Sequence, residues 1–222
     1  MQPQIDQLKN HVKGMASQAG FVHHEWFVRW HLELVERLAK ELLANHANVN
    51  SEVVEVMAWM HDYGLMIDAS DAAAMTQAAG RERMVEFDFP SEFIAKVIEN
   101  LDTLDSAVGL ESAQTPIEVQ IVATADGCAH LVGPYLKLQW LQSQPNITEV
   151  TATSTEKADG SMPGVTKASA NNTEDNRLAQ DVQRIEHDWQ RKIVLPEAKL
   201  AFQKYYDVSL AQAGKLPERF FN

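Results

Sequence analysis

The strongest constraint on the fold is an almost unbroken apolar run, VVEVMAWM, at Val53–Met60, which ends in the pair His61–Asp62. A segment that is apolar on nearly all sides is expected to be buried. Burying an unpaired carboxylate is costly, so Asp62 needs a partner. A hydrogen-bonded core histidine beside it is one interpretation. A bound divalent metal ion, which would offset the cost of burying the carboxylate, is the other.

The pattern along the whole chain predicts an all-α fold. Apolar residues recur at helical spacing, proline and glycine fall between the periodic segments, and alternation with a period of two is scarce. Asn50 or Ser51 is expected to cap the helix that carries the apolar run, and Thr115 with Glu118 is expected to form a capping box. Five helices are predicted in the first part of the chain: 21–45, 50–64, 71–87, one starting near 90–91, and one from 115 to 133–134.

One domain spanning 1–222 is expected, with a helical core over about 21–140. Residues 143–176 are rich in Ser, Thr, Asn, Gly, Ala and Pro and contain little to bury, so this segment is predicted to be a flexible polar insertion. The C-terminal segment 177–222 is predicted to begin with an amphipathic helix that packs back on the core. Its apolar stripe consists of Leu178, Val182, Ile185 and Trp189.

Composition narrows the class of protein. The chain has 222 residues, one cysteine and a net charge of −12. An acidic surface disfavours binding to a nucleic-acid polymer, because phosphate contacts need clustered Lys and Arg. No apolar stretch approaches the ~20 residues of a membrane helix. The N-terminal residues lack the pattern of a signal peptide, and with a single cysteine this favours a cytoplasmic protein that has no membrane partner.

Two further polar residues lie in apolar helical stretches, as ligands of a buried ion would. His31 belongs to the apolar stripe of the first predicted helix, and Asp126 lies within IVATADGCAHL. Helical bundles build metal sites from inward-facing side chains of this kind. A second pair, His187–Asp188, serves as a comparison: His187 falls roughly opposite Ile185 and Trp189, so this pair is predicted to be an ordinary surface pair.

The pattern His…His-Asp…Asp on an all-helical chain resembles the HD superfamily of metal-dependent phosphohydrolases. The resemblance covers roughly residues 21–138 and is carried by WHLELVERLAKELL, AWMHDYG and ATADGCAHL. It implies an HD-type helical bundle in which His31, His61, Asp62 and Asp126 bind one divalent ion (Mn, Mg, Co, Fe or Zn). It also implies hydrolysis of a small phosphorylated metabolite, for example a nucleotide, by attack of a metal-activated water on phosphorus.

The chain departs from the family at two positions. Leu65 stands where many members have Lys or Glu, so a general acid or phosphate-binding group expected there is missing. The helix around Asn100 carries no histidine, and none occurs between His61 and Asp126. Members with two metal ions have extra histidines in this region. One ion is therefore expected rather than two.

Other residues are candidates for roles around the ion. Asp62, Asp68 and His130 are the catalytic candidates. Asp68 is a possible substitute for the group missing at Leu65, and His130, one helical turn after Asp126, is a proton shuttle or phosphate contact. The candidates for substrate binding are His24, two turns before His31, together with Arg81 and Arg83.

Two alternatives stay open. A degenerate HD domain would keep the ion but act as a ligand-binding or regulatory module, and Leu65 and Asn100 favour this. A helical scaffold would hold the same residues as hydrogen-bonded core groups, with no ion. A homo-oligomer is compatible with all three hypotheses.

Overall fold

The structure is a computed structural model that describes residues 1–106, 108–134, 138 and 174–214. Every regular element within these ranges is helical, which confirms the all-α prediction. The α-helices of the described residues are α1 (Gln2–Ala16), α2 (Glu33–Leu43), α3 (Ser51–Met60), α4 (Ala72–Glu86), α5 (Ser91–Ser106), α6 (Ile117–Val132), α7 (Glu174–His187) and α8 (Pro196–Ala211). Two π-helical turns, Val28–Leu32 and Asp188–Lys192, and two 3-10 turns, Tyr63–Met66 and Ala69–Asp71, complete the helical elements.

Helix α6 forms the centre of the core. Its residues from Glu118 to Leu131 are buried except for the half-buried Gln120, and it packs against α2, α3, α5, α8 and both π-helical turns. Each fully buried aliphatic side chain on such a helix stabilises the fold by about 1.5–3 kcal/mol. The buried apolar residues form one cluster with members from all eight helices. Within the described ranges, none of the helices has the length and apolarity that crossing a membrane requires.

Helix α3 begins and ends close to the predicted positions. The Asn50 side chain accepts hydrogen bonds from the backbone N–H groups of Glu52 and Val53, which confirms it as the N-cap. The helix ends at Met60, three to four residues before the predicted end at 63–64. Gly64 lies in the 3-10 turn that follows, where a Cβ would come within 1.9 Å of a backbone oxygen of α4. Gly64 therefore allows a close packing of this turn on α4.

The predicted capping box at the start of α6 is wrong. The Thr115 hydroxyl donates to the carbonyl oxygen of Gly109, and the Glu118 carboxylate pairs with Lys96 at 2.8 Å. Pro116 takes the N-cap position, without a side-chain hydrogen bond. Thr115 is thus bonded within the loop before α6, and Glu118 is bonded to α5. The predicted end of α6 at 133–134 is confirmed, since the helix stops at Val132.

Both ends of the chain contain more helix than predicted. Helix α1 was not among the predicted elements, although Ile5, Leu8 and Val12 are fully buried along one of its faces. The C-terminal segment holds α7, the second π-helical turn and α8, and it packs on the core through Ile185, Ile193 and other side chains. Most of the predicted insertion 143–176 lies outside the described residues, and α7 already begins at Glu174.

Candidate metal centre

Four side chains from three segments converge beside α6. We call them the His–Asp cluster: His31 from the first π-helical turn, His61 and Asp62 after the end of α3, and Asp126 from α6. Nε2 of His31 lies 3.0 Å from Nε2 of His61 and 3.0 Å from Oδ2 of Asp62. Oδ1 of Asp126 lies 3.8 Å from the His31 nitrogen and 3.7 Å from the His61 nitrogen. The structure therefore brings together the four residues that the sequence indicates as ligands.

Local structure sets the direction of both imidazoles. His61 is the C-cap of α3, and its Nδ1 lies 3.0 Å from the carbonyl oxygen of Ala58. A carbonyl only accepts, so Nδ1 carries the proton, and in the neutral ring Nε2 presents a lone pair to the cluster. His31 lies in a π-helical turn and packs against the ring of Phe27. Single π-helical turns are rare and are often found at functional sites.

The two carboxylates of the cluster differ in their access to solvent. The side chain of Asp126 is 7% exposed, whereas that of Asp62 is 30% exposed. Burial raises the pKa of Asp62, but His61 and the hydrogen bond from His31 outweigh it and hold this pKa well below its usual range. Asp126 behaves in the same way, with Lys192 and His130 as the main opposing groups. Both carboxylates are therefore ionised at neutral pH, and Asp62 marks the open side of the cluster.

The residues present fit a divalent ion. Within the described part of the chain, the buried Oδ1 of Asp126 accepts no hydrogen bond. A proton on Nε2 of His31 would satisfy His61 and Asp62, but it would leave this oxygen unsatisfied. Ligands of one ion at ~2.0–2.2 Å lie about 3–4 Å from one another, as the Nε2 atoms of His31 and His61 do from each other and from both carboxylates. Mixed imidazole and carboxylate donors suit several divalent metals, and an ion would satisfy Asp126 as well.

Asp188 and Lys192 also lie at the centre. The prediction that His187–Asp188 is a surface pair gives Asp188 no role there, and no role is predicted for Lys192. His187 does face solvent, with 51% of its side chain exposed, but Asp188 is buried and that part of the prediction is wrong. Asp188 follows Ile185 by three residues, so it lies beside the buried stripe of the helix. Oδ2 of Asp188 is 2.8 Å from Nδ1 of His130, and Lys192, one turn later, reaches Oδ2 of Asp126 at 2.5 Å.

A third carboxylate, Asp105 at the end of α5, interacts electrostatically with His61, Asp62 and Lys192. Its side chain reaches solvent, yet surrounding protein atoms and the charges of Asp62 and Asp102 raise its pKa to about 6, against the opposing effect of His61 and Lys192. The sequence carries no signal for this residue, because it lies among other polar residues at a helix end. Its electrostatic coupling to the cluster is a property of the assembled fold.

Of the four other predicted residues, Asp68, His24 and Arg83 form local contacts. Asp68 is exposed and accepts hydrogen bonds from the N–H and hydroxyl of Ser70. Nδ1 of His24 lies 2.9 Å from the carbonyl oxygen of Phe21 in a series of turns, so the helical spacing used for its prediction does not apply there. The two arginines lie on α4: Arg81 is exposed, and Arg83 pairs with Glu86 and lies over the ring of Phe87.

The two positions that depart from the family pattern have clear places in the fold. Asn100 is buried, and its Nδ2 lies 3.6 Å from the sulfur of Met57 in the core. Leu65 is half-buried in the 3-10 turn and packs against the apolar core. Both side chains therefore contribute to packing.

Comparison of the chain with family models, with curated proteins and with solved structures found no match. The geometry of the centre therefore stands as the evidence on function.

Proposed function

We propose that this protein is a metal-dependent phosphohydrolase of the HD type that acts on a small phosphorylated metabolite, with nucleotides among the candidates. The observation that carries the proposal is the convergence of His31, His61, Asp62 and Asp126, in which a buried carboxylate oxygen accepts no hydrogen bond in the described residues. One divalent ion is the simplest group that matches all four donors.

The positive charge of a bound divalent ion would allow this acidic chain to bind a phosphorylated substrate. The chain carries a net charge of −12, so an anion needs a local source of positive charge. A divalent ion is often the largest charge in a site and reverses the local field. The partly exposed Asp62 and the solvent-reaching Asp105 define the side from which a substrate would approach. Small metabolites suit such a site better than a nucleic-acid polymer, whose binding needs many basic residues.

Different residues of the chain would serve different steps of the hydrolysis. The imidazoles of His31 and His61 and the carboxylate of Asp126 would hold the ion from the buried side, and Asp62 would hold it from the solvent side. Bound there, a divalent ion lowers the pKa of water and polarises a phosphoryl oxygen. Asp62, on the solvent side and ionised, is placed to accept a proton from the attacking water. Asp105, with its pKa near 6, is placed to exchange protons with the leaving oxygen at neutral pH.

The experiment that tests this proposal combines elemental analysis of the purified protein with a phosphate-release screen. The screen uses nucleotides and sugar phosphates, each with added Mn²⁺, Mg²⁺, Co²⁺, Fe²⁺ or Zn²⁺. We expect about one ion per chain and turnover of at least one substrate class. Protein that holds no metal and takes up none on addition would contradict the proposal, since the cluster would then be held by hydrogen bonds alone.

A second candidate function is a metal-containing binding or regulatory module without hydrolysis. The specific observation in its favour is that Asp68 and Arg83, the predicted acid and phosphate contact, are engaged by Ser70 and Glu86. Bound metal with no turnover of any compound in the screen would support the module over the enzyme.

A further inference from the structure

The strongest unassigned feature of the centre is His130, which lies beside Asp126 on α6. Its Nε2 is 3.2 Å from Oδ1 of Asp126, and its ring stacks on that of His31 with centroids 5.3 Å apart. One ligand atom from each of His31, Asp126 and His130 lies within 4.8 Å of the other two, and all three residues are buried. His130 therefore shares this space with His31 and Asp126, two members of the His–Asp cluster.

Asp188 sets the proton of this imidazole. Nδ1 of His130 and Oδ2 of Asp188 are 2.8 Å apart, and both side chains are almost fully buried. An ionised carboxylate only accepts, so Nδ1 carries the proton, and in the neutral ring Nε2 presents its lone pair to Asp126. Metal-binding histidines commonly donate their other N–H to a carboxylate in this way.

The second oxygen of Asp126 is already occupied. Nζ of Lys192 lies 2.5 Å from Oδ2, while Oδ1 faces His130, His31 and His61. Oδ1 of Asp126 and Nε2 of His130 face each other at 3.2 Å, so a proton or a cation between them would satisfy both atoms. Lys192 thus limits Asp126 to binding through one oxygen, the one nearest to His130.

The geometry points to His130 as a fifth protein ligand, through Nε2, of the divalent ion in the His–Asp cluster, with Asp188 as the residue that positions its ring. This inference rests on the metal centre of the proposed function, and it replaces the role of proton shuttle that the sequence predicts for His130. A separate observation connects Asp188 and Lys192 with the centre. They lie in the second π-helical turn, just as His31 lies in the first, and such turns are often found at functional sites.

The test uses the intact protein, labelled with ¹⁵N in its histidine rings and loaded with ¹¹³Cd²⁺, because spin coupling between the two nuclei counts the bound imidazoles directly. We expect three histidines coupled through Nε2, one of which disappears in His130→Gln. Two coupled histidines, with His130 uncoupled, would overturn this inference and leave the proposed function intact. Failure of the protein to bind ¹¹³Cd²⁺ at all would overturn the proposed function and this inference with it.

The positioning role of Asp188 is tested by metal affinity, which does not depend on finding a substrate. Loss of a carboxylate that orients a metal-binding histidine weakens binding by about 10- to 100-fold, and we expect this for Asp188→Ala. Asp188→Asn keeps an oxygen that can accept from Nδ1, so it should recover part of the affinity. His187→Ala, which changes the exposed neighbour, is the matched control and should leave the affinity unchanged. Equal affinities for Asp188→Ala and the control would overturn the role of Asp188.

Discussion

Lys192→Met removes the cation next to a buried carboxylate and is therefore a direct test of the electrostatics of the centre. In the wild-type protein, Nζ of Lys192 lies 2.5 Å from Oδ2 of Asp126 and 4.0 Å from Oδ1 of Asp188. These two aspartates raise the pKa of Lys192 above its ordinary value, although burial lowers it. Methionine keeps most of the volume and apolar contact of the lysine stem, so the change is mainly one of charge.

The expected effect differs between the metal-free and metal-bound protein. Removing one partner of a buried ion pair costs about 3–5 kcal/mol, and the 27% exposure of Lys192 places this case at the lower end, about 3 kcal/mol. For a protein of this size that lowers Tm by about 6–12 °C. An ion bound to Asp126 compensates its charge in another way, so we expect a cost of only about 1 kcal/mol with metal. The difference of about 2 kcal/mol requires the variant to bind the ion about 30-fold more tightly.

The assay is chemical denaturation of wild type and variant, each with chelator and with saturating divalent ion, together with a direct titration of metal. Lys204→Met on the exposed face of α8 is the control and should change the free energy of unfolding by less than about 0.5 kcal/mol. Equal destabilisation with and without metal would refute the reasoning, because Lys192 would then not compensate the charge of Asp126. Weaker metal binding by the variant would refute it as well, since it would show that Lys192 holds Asp126 in place for the ion.

Three further substitutions test other parts of the structure. Asp62→Ala should abolish metal binding and hydrolysis while the exposed Asp207→Ala changes neither; metal retained at one ion per chain, measured by elemental analysis, would contradict the ligand assignment. Gly64→Ala should destabilise the protein by about 3 kcal/mol or more in urea unfolding, since the added Cβ would lie 1.9 Å from a backbone oxygen. Gly14→Ala is the control: a Cβ there would meet no atom within 4 Å, so the change should be neutral or slightly stabilising. Asp105 has a folded-state pKa of about 6, above its ordinary value of 3.8, so the metal-free protein should lose stability as pH rises from about 4 to 6. This loss should be less than about 1 kcal/mol, because the group reaches solvent, and Asp105→Asn should remove it. Parallel profiles of stability against pH for variant and wild type would contradict this prediction.

Much of the fold could be predicted from the sequence because helical periodicity is a local signal. The apolar run before His61 predicts α3, and the Asn50 cap follows from residue chemistry alone. Helix α1 had the same kind of signal, in Ile5, Leu8 and Val12, but was not identified. Thr115 shows the limit of helix patterns, because a hydrogen bond within the preceding loop, to the carbonyl oxygen of Gly109, takes the hydroxyl that a capping box would use.

The centre was only partly predictable, for a different reason. His31 and Asp126 could be found because each is a polar residue in an apolar helix, and such a residue needs a partner. The partnership of His130 with Asp188 joins residues 58 positions apart and depends on how the C-terminal segment packs. No periodicity encodes that packing. The spacing of three residues between Ile185 and Asp188 nevertheless predicts that Asp188 lies on the buried side of the helix.

Gly127 lies where α6 meets the second π-helical turn, and a Cβ there would come within 2.8 Å of Ile193 and 3.0 Å of Lys192. The two segments that meet at this contact are synthesised at different times. Asp126 precedes Lys192 by 66 residues, which at ~5–20 residues per second corresponds to about 3–13 seconds of translation. The three segments that carry the His–Asp cluster are thus synthesised several seconds before the segment that packs on them at Gly127, so the donors of the cluster precede Asp188 and Lys192 in the order of synthesis.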